Sequence, residues 1–280
     1  MLKVYGDERS GNCYKVKLLL NLLQQDYQWQ AVDVLKGETR SAEFLAKNPN
    51  GKIPLLELED GSFLWESNAI LNYLADGTAW IPHEPRLRTQ MLQWQFFEQY
   101  SHEPYVATAR FIRLFQGLPD ERRDEYAQCL LGGDKAFRVM EQQLQRTPFL
   151  VGEQYTLADI ALYAYSHVAE QAGFTLHAYP AVRAWLARVA SQPGHLDLAT
   201  LFGQCLAMLG VVFGITQSNR HIQAMQGAAC LHAKRAGVKL VEGQVLGGLF
   251  DFGLGLWRAL LLAWAGQQVE QYDKLAKGQA

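Results

Sequence analysis

The first 80 residues alternate between two hydrophobic rhythms. "LKVYG" (2–6) is a short apolar run of strand type, whereas "YKVKLLLNLLQQ" (14–25) is too long and leucine-rich for a strand and reads as a helix with an apolar face. "YQWQAVDVL" (27–35) alternates and predicts a second strand. "SAEFLAKN" (41–48) predicts a short helix with Ser41 and Glu43 at its start, stopped at Asn48-Pro49. "PLLELEDGSFLW" (54–65) sets two apolar runs around Asp60-Gly61, a hairpin signal. "SNAILNYLAD" (67–76) predicts a helix opened by Ser67. The order βαβαββα makes this half α/β.

"GTAWIPHEPR" (77–86) breaks the pattern, and strand signals stop there. Residues 86–117, 121–146, 156–172 and 178–192 carry helical spacing, with a kink or interruption expected near Pro104. Thr156 and Asp159 form a capping-box-like pair at a helix start, a structural feature. The expected division is an α/β domain over 1–82, an all-helical domain over 83–200 and an extension over 201–280. In the extension, "LFGQCLAMLGVVFGI" is short of the roughly 20 apolar residues that a spanning helix needs. "VLGGLFDFGLGLWRALLLAWAG" is longer but carries Asp251 and Arg258, each costing about 2.5–3.5 kcal/mol on an insertion scale. Packed helices or partly disordered chain are favoured over a membrane segment. A contact between this tail and a membrane is the less favoured reading.

Composition narrows the class. With 49% hydrophobic and 19% charged residues, the chain suits a soluble globular protein. A net charge of -2 gives no basic excess, so nucleic acid is not expected as a partner. The charged N-terminus lacks the apolar run of a signal peptide. Cys13, Cys129, Cys205 and Cys230 are far apart and the histidines scattered, so a reduced cytoplasm is expected and a metal site is not.

The chemistry concentrates in two stretches. "SGNC" (10–13) lies at a strand-to-helix junction, where thiol–disulfide enzymes carry C-x-x-C with the first thiol attacking. Here that first position is Ser10, and Cys13 falls within the first helical turn. In "NPNGKIPLLELEDGSFLWESNAIL" (48–71), Ile53-Pro54 enters a strand, where proline sits at an edge or in a cis bond. Glu66-Ser67 ends the stretch at another strand-to-helix turn. The amides and hydroxyl there suit a carboxylate and Glu66 an ammonium, as in an amino-acid headgroup. A serine cap beside a solvated glutamate is the plainer alternative.

Together the strand–"SGNC"–helix opening, "NPNGKIP", "ESNAIL" and "YTLADIALYAY" resemble the cytosolic glutathione transferases, of the serine-dependent bacterial kind similar to the theta and nu classes. The likeness runs from residue 1 to about 198. It implies an α/β thioredoxin-like N-terminal domain, an all-α C-terminal domain and a homodimer. It also implies glutathione as co-substrate, attacking a small electrophile, and no metal. Ser10 then matches the catalytic hydroxyl and Asn12 its helper. Lys52, Ile53 and Pro54 match glutathione contacts, and Glu66 and Ser67 the γ-glutamyl contacts. The second substrate is expected against "FFEQYSHEPYVATARFIRLF", with His102, Tyr105 and Arg110 as candidates. Trp94, Phe96 and Phe97 are expected in the core or a dimer contact. The tail is extra to the family pattern. Glutathione-dependent disulfide reduction and a non-catalytic binding or regulatory role on the same fold are the rivals.

Overall fold

The computed structural model describes residues 1–196, so both apolar stretches of the tail lie outside the described residues. Strand β1 (Leu2–Gly6), helix α1 (Gly11–Leu22), β2 (Tyr27–Ala31), α2 (Ala42–Lys47), β3 (Leu55–Glu57), β4 (Phe63–Trp65) and α3 (Ser67–Leu74) follow in the expected order. They form a four-stranded sheet, β2-β1-β3-β4, with β1 parallel to β2 and antiparallel to β3. β2 ends earlier than the alternation suggested, and Val32 to Leu35 form a loop.

Period-2 side-chain alternation makes the two faces. Val4 pairs with Leu56 in the ladder, and both pack with Val16 and Leu20 of α1 and Ile70 of α3. One position along, Tyr5 pairs with Leu55, and both pack on the opposite face with Val32 and Phe44. The sheet is thus held between α1/α3 and α2, a thioredoxin-like arrangement.

The rest is helical: α4 (Pro85–Phe97), α5 (Glu103–Arg110), α6 (Arg123–Leu144), α7 (Leu157–Ser166), α8 (Ala169–Ala172) and α9 (Pro180–Ala190). The interruption expected near Pro104 is a π-helical turn over Glu98–His102, which puts the proline in the first turn of α5. A proline there has no N–H to leave unbonded. A second π turn, Phe111–Phe115, ends α5. α7 starts on the expected capping box. Asp159 accepts from the Thr156 amide at 2.9 Å, and its other oxygen from the Leu150 amide and Trp185 Nε1, each at 2.9 Å. One buried carboxylate therefore ties α7 to α9 and to the loop before it, a structural role. Among the described residues no helix is long and apolar enough to cross a membrane.

Candidate active site

Ser10 caps α1. Its backbone is extended, and its Oγ accepts from the Cys13 amide at 3.3 Å. That bond occupies a lone pair, and the hydroxyl also interacts with the Cys13 thiol and the Tyr165 phenol, so a ligand thiolate competes with them for its proton. The Cys13 thiol packs against Gly6 at the end of β1. A Cβ on Gly6 would lie 2.7 Å from Cys13 Sγ and 2.6 Å from the Trp29 ring, so only glycine lets α1 approach the end of β1 this closely. The thiol is wholly buried, and burial pushes its pKa up to about 12. Ser10 faces a cavity; Cys13 is core.

Two cavities flank the start of α1. The larger, about 370 Å³, is lined by Ser10, Lys52 and Ile53 and, on the helical side, by Arg110, Phe111, Phe115 and Tyr165. The smaller, about 170 Å³, is lined by Asn12, Lys52, Ile53, Pro54, Glu66 and Ser67, with Gln99 and Glu103 opposite. Lys52 and Ile53 border both. The Ile53–Pro54 bond is cis. The turn into α3 is not a serine cap. Glu66 holds the cap position with φ 69° and no side-chain cap bond, and Ser67 is the first helical residue. A left-handed glutamate is a costly conformation, of the kind retained at binding sites. It leaves the carboxylate at the cavity, where Glu66 Oε1 accepts from Asn50 Nδ2 at 3.3 Å.

Behind the smaller cavity lies a buried network. Lys15 Nζ donates to Glu98 Oε1 and to Asn12 Oδ1, both at 2.8 Å, and to Ser67 Oγ at 3.3 Å. Burial raises the Glu98 carboxyl's pKa, and the Lys15 ammonium opposes that rise. The ammonium fixes the Asn12 amide, because the oxygen must face Lys15. The Asn12 Nδ2 then points to the cavity side, where it donates to Glu103 Oε1 at 3.0 Å. Ser67 Oγ accepts from Lys15 and donates to Asn12 Oδ1 at 3.3 Å. Its hydroxyl proton is therefore engaged within the network. A carboxylate arriving here meets the backbone amides of α3 instead.

The structure places two second-substrate candidates away from the described cavities. His102 is fully buried, 3.0 Å from Ser166 Oγ and edge-on to Phe137, and burial lowers its pKa to about 3. Tyr105 packs its ring over Gly132 of α6, where a Cβ would come within 2.3 Å. Neither lines a described cavity. Arg110 does. Sequence reasoning missed Tyr165, which ends the "YTLADIALYAY" stretch. Its buried ring presses on Gly11, and its phenol interacts with the Ser10 hydroxyl. Lys15 and Glu103 were also missed. Among the described residues no group of histidine, cysteine and acidic side chains stands close enough to hold a metal.

The sequence model of the glutathione S-transferase N-terminal domain matches residues 9–76, and that of the C-terminal domain matches residues 94–193. A disulfide-bond oxidoreductase of Escherichia coli is 32% identical over 65% of this chain and 87% of its own. The crystal structure of a glutathione S-transferase from Pseudomonas fluorescens superposes with a TM-score of 0.70 at 67% identity, covering 70% of this chain and 98% of that one. A glutathione transferase from Burkholderia graminis, solved with two glutathione molecules bound per subunit, superposes with a TM-score of 0.61 at 27% identity, over 69% of this chain and 85% of that one.

Proposed function

The chain belongs to the glutathione S-transferase family, and from that premise we propose that glutathione lies across the two cavities with its thiol at Ser10. The observation that carries this is the adjacency of the cavities. Ser10 opens on the larger, Glu66 and the α3 amides on the smaller, and Lys52–Ile53 borders both. The γ-glutamyl carboxylate takes the α3 N-terminus, favoured by the helix dipole. Its ammonium takes Glu66 and Glu103. The Ile53 backbone carries the peptide, and the sulfur reaches Ser10.

The physical task is acidification of a thiol. A free thiol titrates near 8.5, so only a few per cent is thiolate at pH 7. Lowering that by roughly two units requires about 2.7 kcal/mol in favour of the thiolate. A hydroxyl donated by Ser10 supplies about 1.5–3 kcal/mol, and the start of α1 about 0.3–1 kcal/mol. Asn12, two residues on, supports this from the smaller cavity, where its Nδ2 faces Glu103 in the orientation that Lys15 imposes. The thiolate then attacks the electrophile in the larger cavity, and its sulfur–carbon bond forms as the leaving group departs with its electron pair.

Residues 1–82 carry the glutathione site apart from Glu103, and the helical residues after 83 carry the wall for the electrophile. A homodimeric, cytoplasmic detoxification enzyme fits this reading. Phe96 and Tyr100 lie one turn apart on a helical run at 70% and 84% exposure, a surface suited to cover by a second subunit. Disulfide reduction is the second reading. It is favoured by the relative named as a disulfide-bond oxidoreductase, and Ser10 and Asn12 permit it because glutathione supplies the thiols. Calorimetry with glutathione tests the site. Turnover of 1-chloro-2,4-dinitrobenzene against that of a model disulfide decides between the reactions, and absence of both with intact glutathione binding would leave a binding protein.

A further inference from the structure

The larger cavity is unevenly charged. Arg9, Arg40, Lys52 and Arg110 line it, against a single carboxylate, Asp7. Three of these cations are accounted for. Arg9 is clamped by Asp7 through Nε at 2.8 Å and by Asp33 through Nη2 at 2.7 Å. Arg40 and Lys52 are exposed, and Lys52 also borders the smaller cavity, on the glutathione side.

Arg110 differs. It is 4% exposed, and among the described residues no carboxylate hydrogen-bonds to it; Asp7, already clamped to Arg9, and the Tyr165 phenol act on it only through space. Its hydrogen bonds go to neutral acceptors: Nη1 to the Arg9 carbonyl at 2.8 Å and Nε to Gln171 Oε1 at 2.9 Å. A guanidinium has five N–H donors and stays charged at any working pH, so Nη2 keeps its donors beside an apolar wall. That wall is Phe115, whose ring lies 5.2 Å from the guanidinium, with Phe111 and Ala107. A buried charge without a directly bonded counter-ion is costly, and proteins ordinarily supply one. Here the missing anion has a place to arrive.

We propose that this cavity takes electrophiles carrying a carboxylate on a flat apolar or aromatic body, and that Arg110 is the residue that selects them. The guanidinium fork matches a carboxylate's geometry, and Phe111 and Phe115 bound the apolar part. The proposal rests on Ser10 as the seat of the thiolate, which sets the electrophile in this cavity.

The test uses two inhibitors of one shape and different charge, 4-nitrobenzoate and 4-nitrobenzamide, against conjugation of the neutral 1-chloro-2,4-dinitrobenzene. Turnover of the neutral reporter checks the transferase reading separately. Without turnover, titration of both inhibitors by calorimetry into the S-methylglutathione complex gives the same comparison. The wild-type protein should bind the benzoate at least about tenfold more tightly, and Arg110→Gln should reduce that ratio below about threefold while Arg110→Lys retains part of it. Equal inhibition of the wild type by the two compounds overturns the proposal, whatever the variants do. So does an Arg110→Gln protein that melts normally and keeps the full preference. If Arg110→Gln instead raises the pH midpoint of the reporter reaction and leaves the ratio unchanged, the charge serves the thiolate and the proposal fails.

Discussion

Lys15 and Glu98 form an ion pair in which neither side chain is exposed, with nitrogen and oxygen 2.8 Å apart. One comes from α1 and the other from the π turn after α4, so the pair joins the sheet domain to the helical one beneath Asn12 and Ser67. Removing one partner leaves the other charge buried. Lys15→Met should therefore cost about 3–5 kcal/mol in urea unfolding. The double variant Lys15→Met/Glu98→Leu should recover most of that, yet still bind glutathione more weakly, since nothing then orients the Asn12 amide. Recovery of both stability and affinity would make the pair purely structural.

Glu66 and Ser67, adjacent in sequence, should differ in effect. The Ser67 hydroxyl is engaged with Lys15 and Asn12, so a ligand carboxylate meets backbone amides that Ser67→Ala preserves. By calorimetry Ser67→Ala should weaken glutathione less than about fivefold, and Glu66→Ala at least about tenfold, or roughly 1.4 kcal/mol. The opposite ranking would place the hydroxyl in direct contact with the ligand.

Cys13 should be silent. With its pKa pushed up to about 12, it is protonated throughout the neutral range, since a raised thiol pKa moves the thiolate to higher pH. At pH 8 only about one part in ten thousand is thiolate. Peptide mass spectrometry should find Cys13 unlabelled by iodoacetamide in the native protein and labelled after unfolding. Cys13→Ser should leave turnover within about twofold, apart from a small packing loss. Labelling of the native protein at the rate of a free thiol would contradict its burial.

What the sequence discloses follows from how local each feature is. The strands, the Asp60-Gly61 turn and the α7 cap are written in neighbouring residues and are legible. The wall of the larger cavity is legible as a stretch, 96–115, and in Arg110, but not residue by residue. The π turn at Glu98–His102 inserts an extra residue into the helical rhythm, so positions after it face a different way from an α-helix extrapolated through Pro104. That is why His102 faces the core and Tyr105 faces α6, while Arg110, Phe111 and Phe115 meet the cavity. Lys15 is illegible for another reason. Its partner lies 83 residues away, and in the sequence it looks like one more lysine on a solvated face. Glu66 in a left-handed conformation likewise runs against its residue type, and only the fold around it accounts for the position.

The central claim is that the Ser10 hydroxyl, and no thiol of the protein, holds glutathione's sulfur as thiolate. The pH dependence of 1-chloro-2,4-dinitrobenzene conjugation, measured for the wild type, Ser10→Ala and Cys13→Ser between pH 6 and 9, tests it most directly. Ser10→Ala removes a charge-assisted hydrogen bond of about 1.5–3 kcal/mol, so the rate at pH 7 should fall about 10- to 100-fold. The half-maximal pH should move upward, because a thiolate that loses a donor is a stronger base. Cys13→Ser should follow the wild-type curve. A Ser10→Ala profile that overlays the wild type, with Cys13→Ser the variant that loses activity, would contradict the account and make Cys13 the reactive group.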